Sequence, residues 1–598
     1  MRVVSKKTVM DNSLNHLTIF IFILLFTCSC GNRNIKSVEG VSIDEPEAPQ
    51  LVTPVQNWDG IEPDLQIGWG SSNTRYHREY IPEIKTCDTI TYEGWKNERI
   101  SAQAIMWSKE EVKNITVEAK DLKSVSGSIS AKNIKHYYVR NVLADEFLGG
   151  CGYKTKSKET AHLLADCLEE LEAFNLRERS TRGIWFSIDI PADAEAGVYS
   201  GEITISLDGK AYKTLDIKFI VKDRLLPEPA NWTYHLDLWQ NPFAVARVHN
   251  VDLWSDKHFE LMLPLYKLLA EAGQKCITAT IVDSPWGGQS FDPYGSMVES
   301  QLKANGEWSF DYTVFDRWVN FMMELGINKQ INCYSMIPWG NRLTYYDEKL
   351  GCDTFLVAPA TSQAFADYWI PFLNDFKGHL KDKKWFNKTT IAMDERPNKD
   401  MKRAIELVNE HAGLKVTSAA NYDPGLSDKV YDLSVASRHI LPEAILEQRR
   451  NEGQITTYYV CCSAEYPNNF TFSPPVEGVW QAWYAYSCNL DGFLRWAYNS
   501  WVEQPLTDTR FRTWPAGDTF FVYPGAKTSI RFEKLREGIQ DFEKLRIITN
   551  QLKKEGTPET ASKLAVIDQL LKEFTTESIT EGKALTTVLK GKDFINSL

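Results

Sequence analysis

Between residues 230 and 500 short apolar runs alternate with longer segments whose apolar positions recur every three or four residues. The runs are Trp232–Trp239, Lys275–Val282, Lys329–Ile337, Thr389–Asp394, Leu414–Ala420, Tyr431–Ala436, Gln454–Val460 and Gly492–Tyr498. They are nearly continuous rather than alternating, as strands covered on both faces of a parallel sheet are. Helical periodicity fills most of the gaps, over 256–272, 311–325, 361–380, 399–412, 441–452 and 475–488, with one more helix over 528–550. Eight such units in sequence predict a (β/α)8, TIM-like barrel. No Gly-rich dinucleotide fingerprint or phosphate loop follows any run, which disfavours an open doubly wound sheet.

Ahead of Pro227 the pattern changes to period two. Ile184–Ile190 alternates, and 201–207 leads into Asp208-Gly209, the dipeptide of a tight hairpin, before Leu215, Ile217, Phe219 and Val221 alternate back. A β-sandwich is predicted for this part. Lys158 to Arg179 reads instead as an amphipathic helix lying on it. The expected organisation is a signal peptide over 1–30, a tether over 31–57, the β-sandwich over 58–226, the barrel over 230–550 and a helical segment over 551–598. The overall class is α/β with an all-β N-terminal domain.

The first thirty residues carry an address. Lys6 and Lys7 precede the apolar stretch 17–26, too short to span a bilayer, followed by Thr27-Cys28-Ser29-Cys30-Gly31. This resembles a bacterial lipobox with Cys30 as the lipidated residue and Cys28 as the alternative. The expected location is the cell envelope, periplasm or outer membrane, with the membrane touched only through that anchor. The net charge of −12 argues against a nucleic-acid partner, which needs a basic face. The remaining cysteines are scattered, odd in number and without CxxC spacing, so neither a disulfide framework nor a zinc site is indicated. Cys276, Cys333, Cys461 and Cys462, in apolar runs, read as buried inert thiols.

In a barrel the chemistry gathers where strands end. The fourth run ends Met393-Asp394-Glu395-Arg396-Pro397, with two adjacent carboxylates just before a proline that cannot continue the ladder. Both can face one pocket only where the strand gives way to loop. Other strand ends offer His235, Asp237 and Trp239; Asp283 and Trp286; Tyr334 and Trp339; Asn421 and Tyr422; Tyr459; and Trp496, Tyr498, Asn499 and Trp501. Aromatic faces with interspersed polar groups suit a sugar. HExxH and GxSxG are both lacking, and the histidines are not paired at ligand spacing, so metal and serine chemistry are not indicated and no cofactor is expected.

Five separated segments, HLDLWQNP (235–242), MDERP (393–397), RWAYNSW (495–501), GDTFFVYPG (517–525) and SIRFEKLREGIQDFEKL (529–545), resemble glycoside hydrolase family 123, retaining N-acetyl-β-galactosaminidases. The resemblance covers most of 180–545. It implies a glycan with terminal β-linked N-acetylgalactosamine as substrate and a substrate-assisted mechanism, a departure from two-carboxylate chemistry. Glu395 would then be the acid and base, and Asp394 would hold the 2-acetamido N–H. Aromatic surroundings are expected to desolvate Glu395. Either Tyr422 or Tyr459 would contact the acetamido oxygen. Competing expectations are a non-catalytic glycan-binding lipoprotein and a β-N-acetylglucosaminidase of the same mechanism.

Overall fold

The computed structural model describes residues 38–598 apart from 48–55, 86, 153–159, 440 and 581. The predicted signal peptide, most of the predicted tether and Cys30 lie outside the described residues.

Residues 66–225 form two packed sheets. One orders its strands as Gln66–Gly70, Arg99–Ser108, Ser180–Asp189, Ile134–Ala144 and His162–Glu169. The other is built on the long hairpin Gly197–Leu207 and Lys210–Leu225. Its turn residues Asp208 and Gly209 both have positive φ (47° and 73°), the conformation that makes Asp-Gly a hairpin dipeptide. Ile100, Phe186, Ile203, Ile217 and Phe219 meet between the sheets.

Of the predicted helix 158–179, the described residues 160–179 are not helical. They supply the strands His162–Glu169 and Phe174–Leu176. From Leu163 onward the first of these is buried at every position. Ala165 and Leu168 pack with Trp185 against Ile530 of a C-terminal helix, while Cys167 belongs to the barrel core. A strand covered on both faces loses its period of two, and its closely spaced leucines then mimic a helical stripe.

The eight predicted runs form one parallel sheet, in the order His235–Leu238, Gly492–Arg495, Ile455–Tyr459, Asp432–Ala436, Lys415–Ala419, Thr389–Asp394, Gln330–Tyr334 and Cys276–Thr280. Lys275 N–H donates to Leu236 O (2.9 Å), drawing the first and last of these edges together into a nearly closed barrel. Almost every strand residue is buried, since helices cover the outside and side chains fill the inside. Where strand one meets strand eight, Gly492 is required, because a Cβ there would lie 2.2 Å from His235 O.

Two C-terminal segments act as clamps on this frame. Glu543 accepts from the backbone N–H groups of Thr233 and Tyr234 at the entry to the first strand (2.5 and 2.8 Å). Asp518 pairs with Arg495 at the end of the eighth strand (2.8 Å) and accepts from Trp496 (3.2 Å).

One feature was not expected. The loops after barrel strands two and three carry a four-stranded sheet, Trp308–Asp311, Glu299–Leu302, Arg342–Asp347 and Cys352–Val357.

Candidate active site

Asp394 is the last residue of the fourth barrel strand, and Glu395 makes one further ladder bond, its N–H donating to Ala419 O (2.9 Å). Pro397 then N-caps the helix Asn398–Leu407. The ladder therefore ends at the carboxylate pair, and both side chains line one cavity of about 260 Å³ at the barrel mouth.

Their environments differ. Asp394 is buried (8% exposed) and its Oδ2 accepts from the Trp339 indole N–H (3.1 Å). Arg396 lies 3.7 Å from the same oxygen and over the Trp339 ring (4.4 Å to the centroid). Oδ1 has no partner among the described residues. Burial raises this carboxyl above its ordinary range, against the opposing pull of Arg396 and Trp339. Glu395 is exposed, and its Oε1 accepts from the Tyr459 hydroxyl (2.6 Å). Burial, then the Glu395 charge, pushes that hydroxyl upward, so it stays a donor. The desolvation expected at Glu395 thus falls on Asp394, because Glu395 has already left the strand.

The cavity is aromatic. Trp239 stacks on Trp286 (centroids 4.8 Å apart, planes 25°), and Tyr334 lies 4.5 and 5.2 Å from the two rings. The two indole N–H groups and the Tyr334 hydroxyl are buried without partners among the described residues. Trp339, Trp496 and Trp514 line the walls, with Trp496 edge-on to Trp514 (5.8 Å).

Of the residues read from the sequence, Asp394, Glu395, Trp239, Trp286, Trp339, Tyr459 and Trp496 line this cavity. Four others serve the fold instead. His235 sits at the start of its strand with Asp432 (3.1 Å) and Cys276 (3.3 Å), each likewise first in its strand, at the barrel end away from the mouth. Burial opposes its protonation, but Asp432 prevails and raises its pKa. Asp237, one layer above, takes a hydrogen bond from Asn332 (3.0 Å) inside the barrel, and burial with the Asp432 charge pushes it up to about 7. The Tyr498 hydroxyl donates to Leu265 O and the Trp501 indole to Val522 O, both fully buried in packing. Tyr422 is half-buried against the core and does not line the cavity.

Gln289, Trp514 and the disulfide Cys151–Cys462 also line it and were missed. Cys462 is therefore not an inert thiol, whereas Cys276 and Cys333 are buried and free. Trp514 sits in an aperiodic loop, and a bridge across 311 residues has no local signature.

A family model described as the glycoside hydrolase 123 catalytic domain matches residues 239–548, and one for the glycoside hydrolase 123 N-terminal domain matches 69–207. A solved family 123 glycoside hydrolase from Clostridium perfringens, from a study of glycolipid glycan hydrolysis, is 28% identical to this chain. The match covers 89% of this chain and 98% of that one, with a TM-score of 0.80. A putative glycoside hydrolase from Bacteroides vulgatus is 11% identical over 77% of this chain and 78% of its own, with a TM-score of 0.30. No curated protein matches the chain.

Proposed function

The chain belongs to glycoside hydrolase family 123, and from that premise we propose that it releases β-linked N-acetylgalactosamine by a substrate-assisted, retaining mechanism. The observation that carries this reading is the unequal carboxylate pair. Asp394 and Glu395 are the only carboxylates lining the cavity among the described residues. One is buried and held by an indole; the other is at the rim.

A retaining enzyme with its own nucleophile needs two carboxylates on opposite sides of the scissile bond. Neighbours in sequence at one strand end suit a different division of labour. Glu395 protonates the departing glycosidic oxygen and later takes a proton from the incoming water. Asp394, fixed by Trp339, accepts the 2-acetamido N–H through its free Oδ1 and orients the amide. The amide carbonyl oxygen attacks C1, the leaving group departs, and an oxazolinium-type ring forms until water opens it. Because the nucleophile is part of the substrate, correct placement makes the step intramolecular, which is a large rate factor. The small aromatic cavity fits one sugar ring, with the acetamido methyl against Trp239 and Trp286. Their unpaired indole N–H groups and the Tyr334 hydroxyl are donors for the amide oxygen or ring hydroxyls.

The test is hydrolysis of p-nitrophenyl β-GalNAc beside the β-GlcNAc analogue, with GalNAc-thiazoline as inhibitor. Preference for the first and strong thiazoline inhibition are expected. An active enzyme indifferent to the thiazoline would require an enzyme nucleophile and would end this reading.

Export as a lipoprotein anchored through Cys30 belongs to the same proposal. A disulfide between Cys151 and Cys462 suits an oxidising envelope compartment.

A further inference from the structure

The four-stranded sheet grown from the loops after barrel strands two and three is the most prominent surface that the catalytic reading leaves without a task. Its pairing assigns faces unambiguously. Thr344 lies opposite Phe355, Tyr346 opposite Asp353, Gln301 opposite both Tyr346 and Ser309, and Glu299 opposite Asp311. These residues share one face. The other face, with Trp308, Phe310 and Tyr345, packs on the helix Gln363–Asp382, where Trp308 meets Tyr368 (5.0 Å) and Phe310 meets Phe372 (5.3 Å). The first face is left open and forms the floor of a groove of about 800 Å³ that Asp283 also lines.

This groove and the catalytic cavity have no lining residue in common but are linked along the chain. Two segments leave the cavity on the side of the groove: Trp286 back to Asp283, and Trp339 on to Arg342 and Thr344. They are joined by the Trp339 N–H donating to Pro285 O (2.8 Å). Trp286 and Trp339 line the cavity, and Asp283 lines the groove. Arg342 stands at the rim, its guanidinium over the Phe355 ring (3.7 Å) and its charge acting on Asp283.

We infer that this groove holds the aglycone, meaning the sugars on the leaving-group side of the cleaved bond, and that it selects neutral oligosaccharides over anionic ones. The catalytic cavity has room for one ring, whereas the groove is about three times larger and open along the sheet. Its lining is polar, with Gln301, Ser309 and Thr344 to meet hydroxyls and Tyr346 to offer a ring face. The Thr344 hydroxyl has no partner among the described residues. Four carboxylates, Asp283, Glu299, Asp311 and Asp353, line the groove, and no Lys or Arg does among the described residues. Sugar hydroxyls can donate to those carboxylates, while a sulfate or sialic acid would meet like charge.

This inference rests on the glycosidase reading, and the experiment separates the two. Three wild-type rates are measured: on the aryl glycoside, on a trisaccharide carrying β-GalNAc on a neutral disaccharide, and on the same trisaccharide sulfated on the disaccharide. Binding of the free neutral disaccharide is followed by ligand-observed NMR. The kcat/KM ratio of neutral trisaccharide to aryl glycoside is expected to fall about tenfold in Tyr346→Ala. The sulfated substrate should be the poorest, and should recover in the double variant Asp311→Asn, Asp353→Asn. The disaccharide should bind the wild type and lose its signal in Tyr346→Ala. Equal ratios in wild type and Tyr346→Ala, or no disaccharide binding, would overturn the groove assignment. Absence of any hydrolysis with disaccharide binding intact would overturn the catalytic reading and leave the groove standing.

Discussion

The two neighbouring acids differ in burial, and that difference dictates how each variant should fail. Removing the proposed proton donor in Glu395→Gln should lower kcat on the nitrophenyl glycoside by about 10²-fold, the lower range of general-acid contributions. The loss should be greater with a sugar leaving group, which needs protonation more. Asp394→Asn keeps the shape but replaces an acceptor with an amide. It should lose about 10²-fold in kcat with KM changed little, because an orienting contact made in the transition state is removed. Comparable activity of Asp394→Asn and wild type would separate Asp394 from the acetamido group. The place of these two residues at the cavity was legible in the sequence because a proline follows them at a strand end. Depth was not legible. His235, Asp237 and Trp239 share the inward parity of the first strand, yet only Trp239 reaches the mouth. Parity sets the face, but the length of strand sets the height. Tyr498 and Trp501 failed for a related reason: the eighth strand ends at Arg495, after which alternation no longer tells where a side chain points.

Helices and strands of the barrel were readable because eight repetitions of one pattern reinforce each other, whereas the doubly covered strand His162–Glu169 stood alone and imitated a helix. Packing between elements was not readable. The helices Val476–Ser487 and Ile530–Glu555 cross at two glycines, and a Cβ on Gly538 would lie 2.7 Å from Val479 O. Gly538→Ala should therefore destabilise the fold by about 1–3 kcal/mol in denaturant melts, despite the better helix propensity of Ala. The same region carries a pH dependence. Glu477, in the first turn of the shorter helix, is buried, which pushes its carboxyl up to about 8 although the Asn468 N–H donates to it (2.8 Å). Between its ordinary value near 4.5 and about 8, the unfolded chain has released this proton and the folded chain still holds it. Its contribution is therefore complete at acid pH and is lost as pH rises through that window. Glu477→Gln, which keeps the acceptor oxygen, should melt at nearly the same temperature as wild type at pH 5 and higher at pH 9. Parallel melting curves for the two proteins across that range would contradict the assignment.

At the scale of the whole molecule the N-terminal sheets and the barrel share one cavity wall, because Cys151 of the first is bonded to Cys462 in the loop after the seventh barrel strand. That loop follows Tyr459, the residue that donates to Glu395, so the bridge anchors the segment that shapes the rim of the site. Its two ends are 311 residues apart, and in the chain-entropy account a cross-link over so long a loop restricts the unfolded chain strongly. Domain contacts without it are still extensive. Asp166 of the sandwich is buried between Arg75 and Arg531, each 2.9 Å away, and accepts from Tyr523 (2.7 Å). Loss of the bridge should therefore weaken the fold without separating its parts. The informative variant is Cys151→Ala rather than a change at Cys462, because Cys461 stands beside Cys462 and could pair with Cys151 in its place. It should lose about 2–4 kcal/mol of stability, and KM on the aryl glycoside should rise as the cavity wall loosens. Dithiothreitol should bring wild type to the same melting temperature and leave Cys151→Ala unmoved. A reductant effect of equal size on both proteins would place the sensitivity elsewhere than in this bridge.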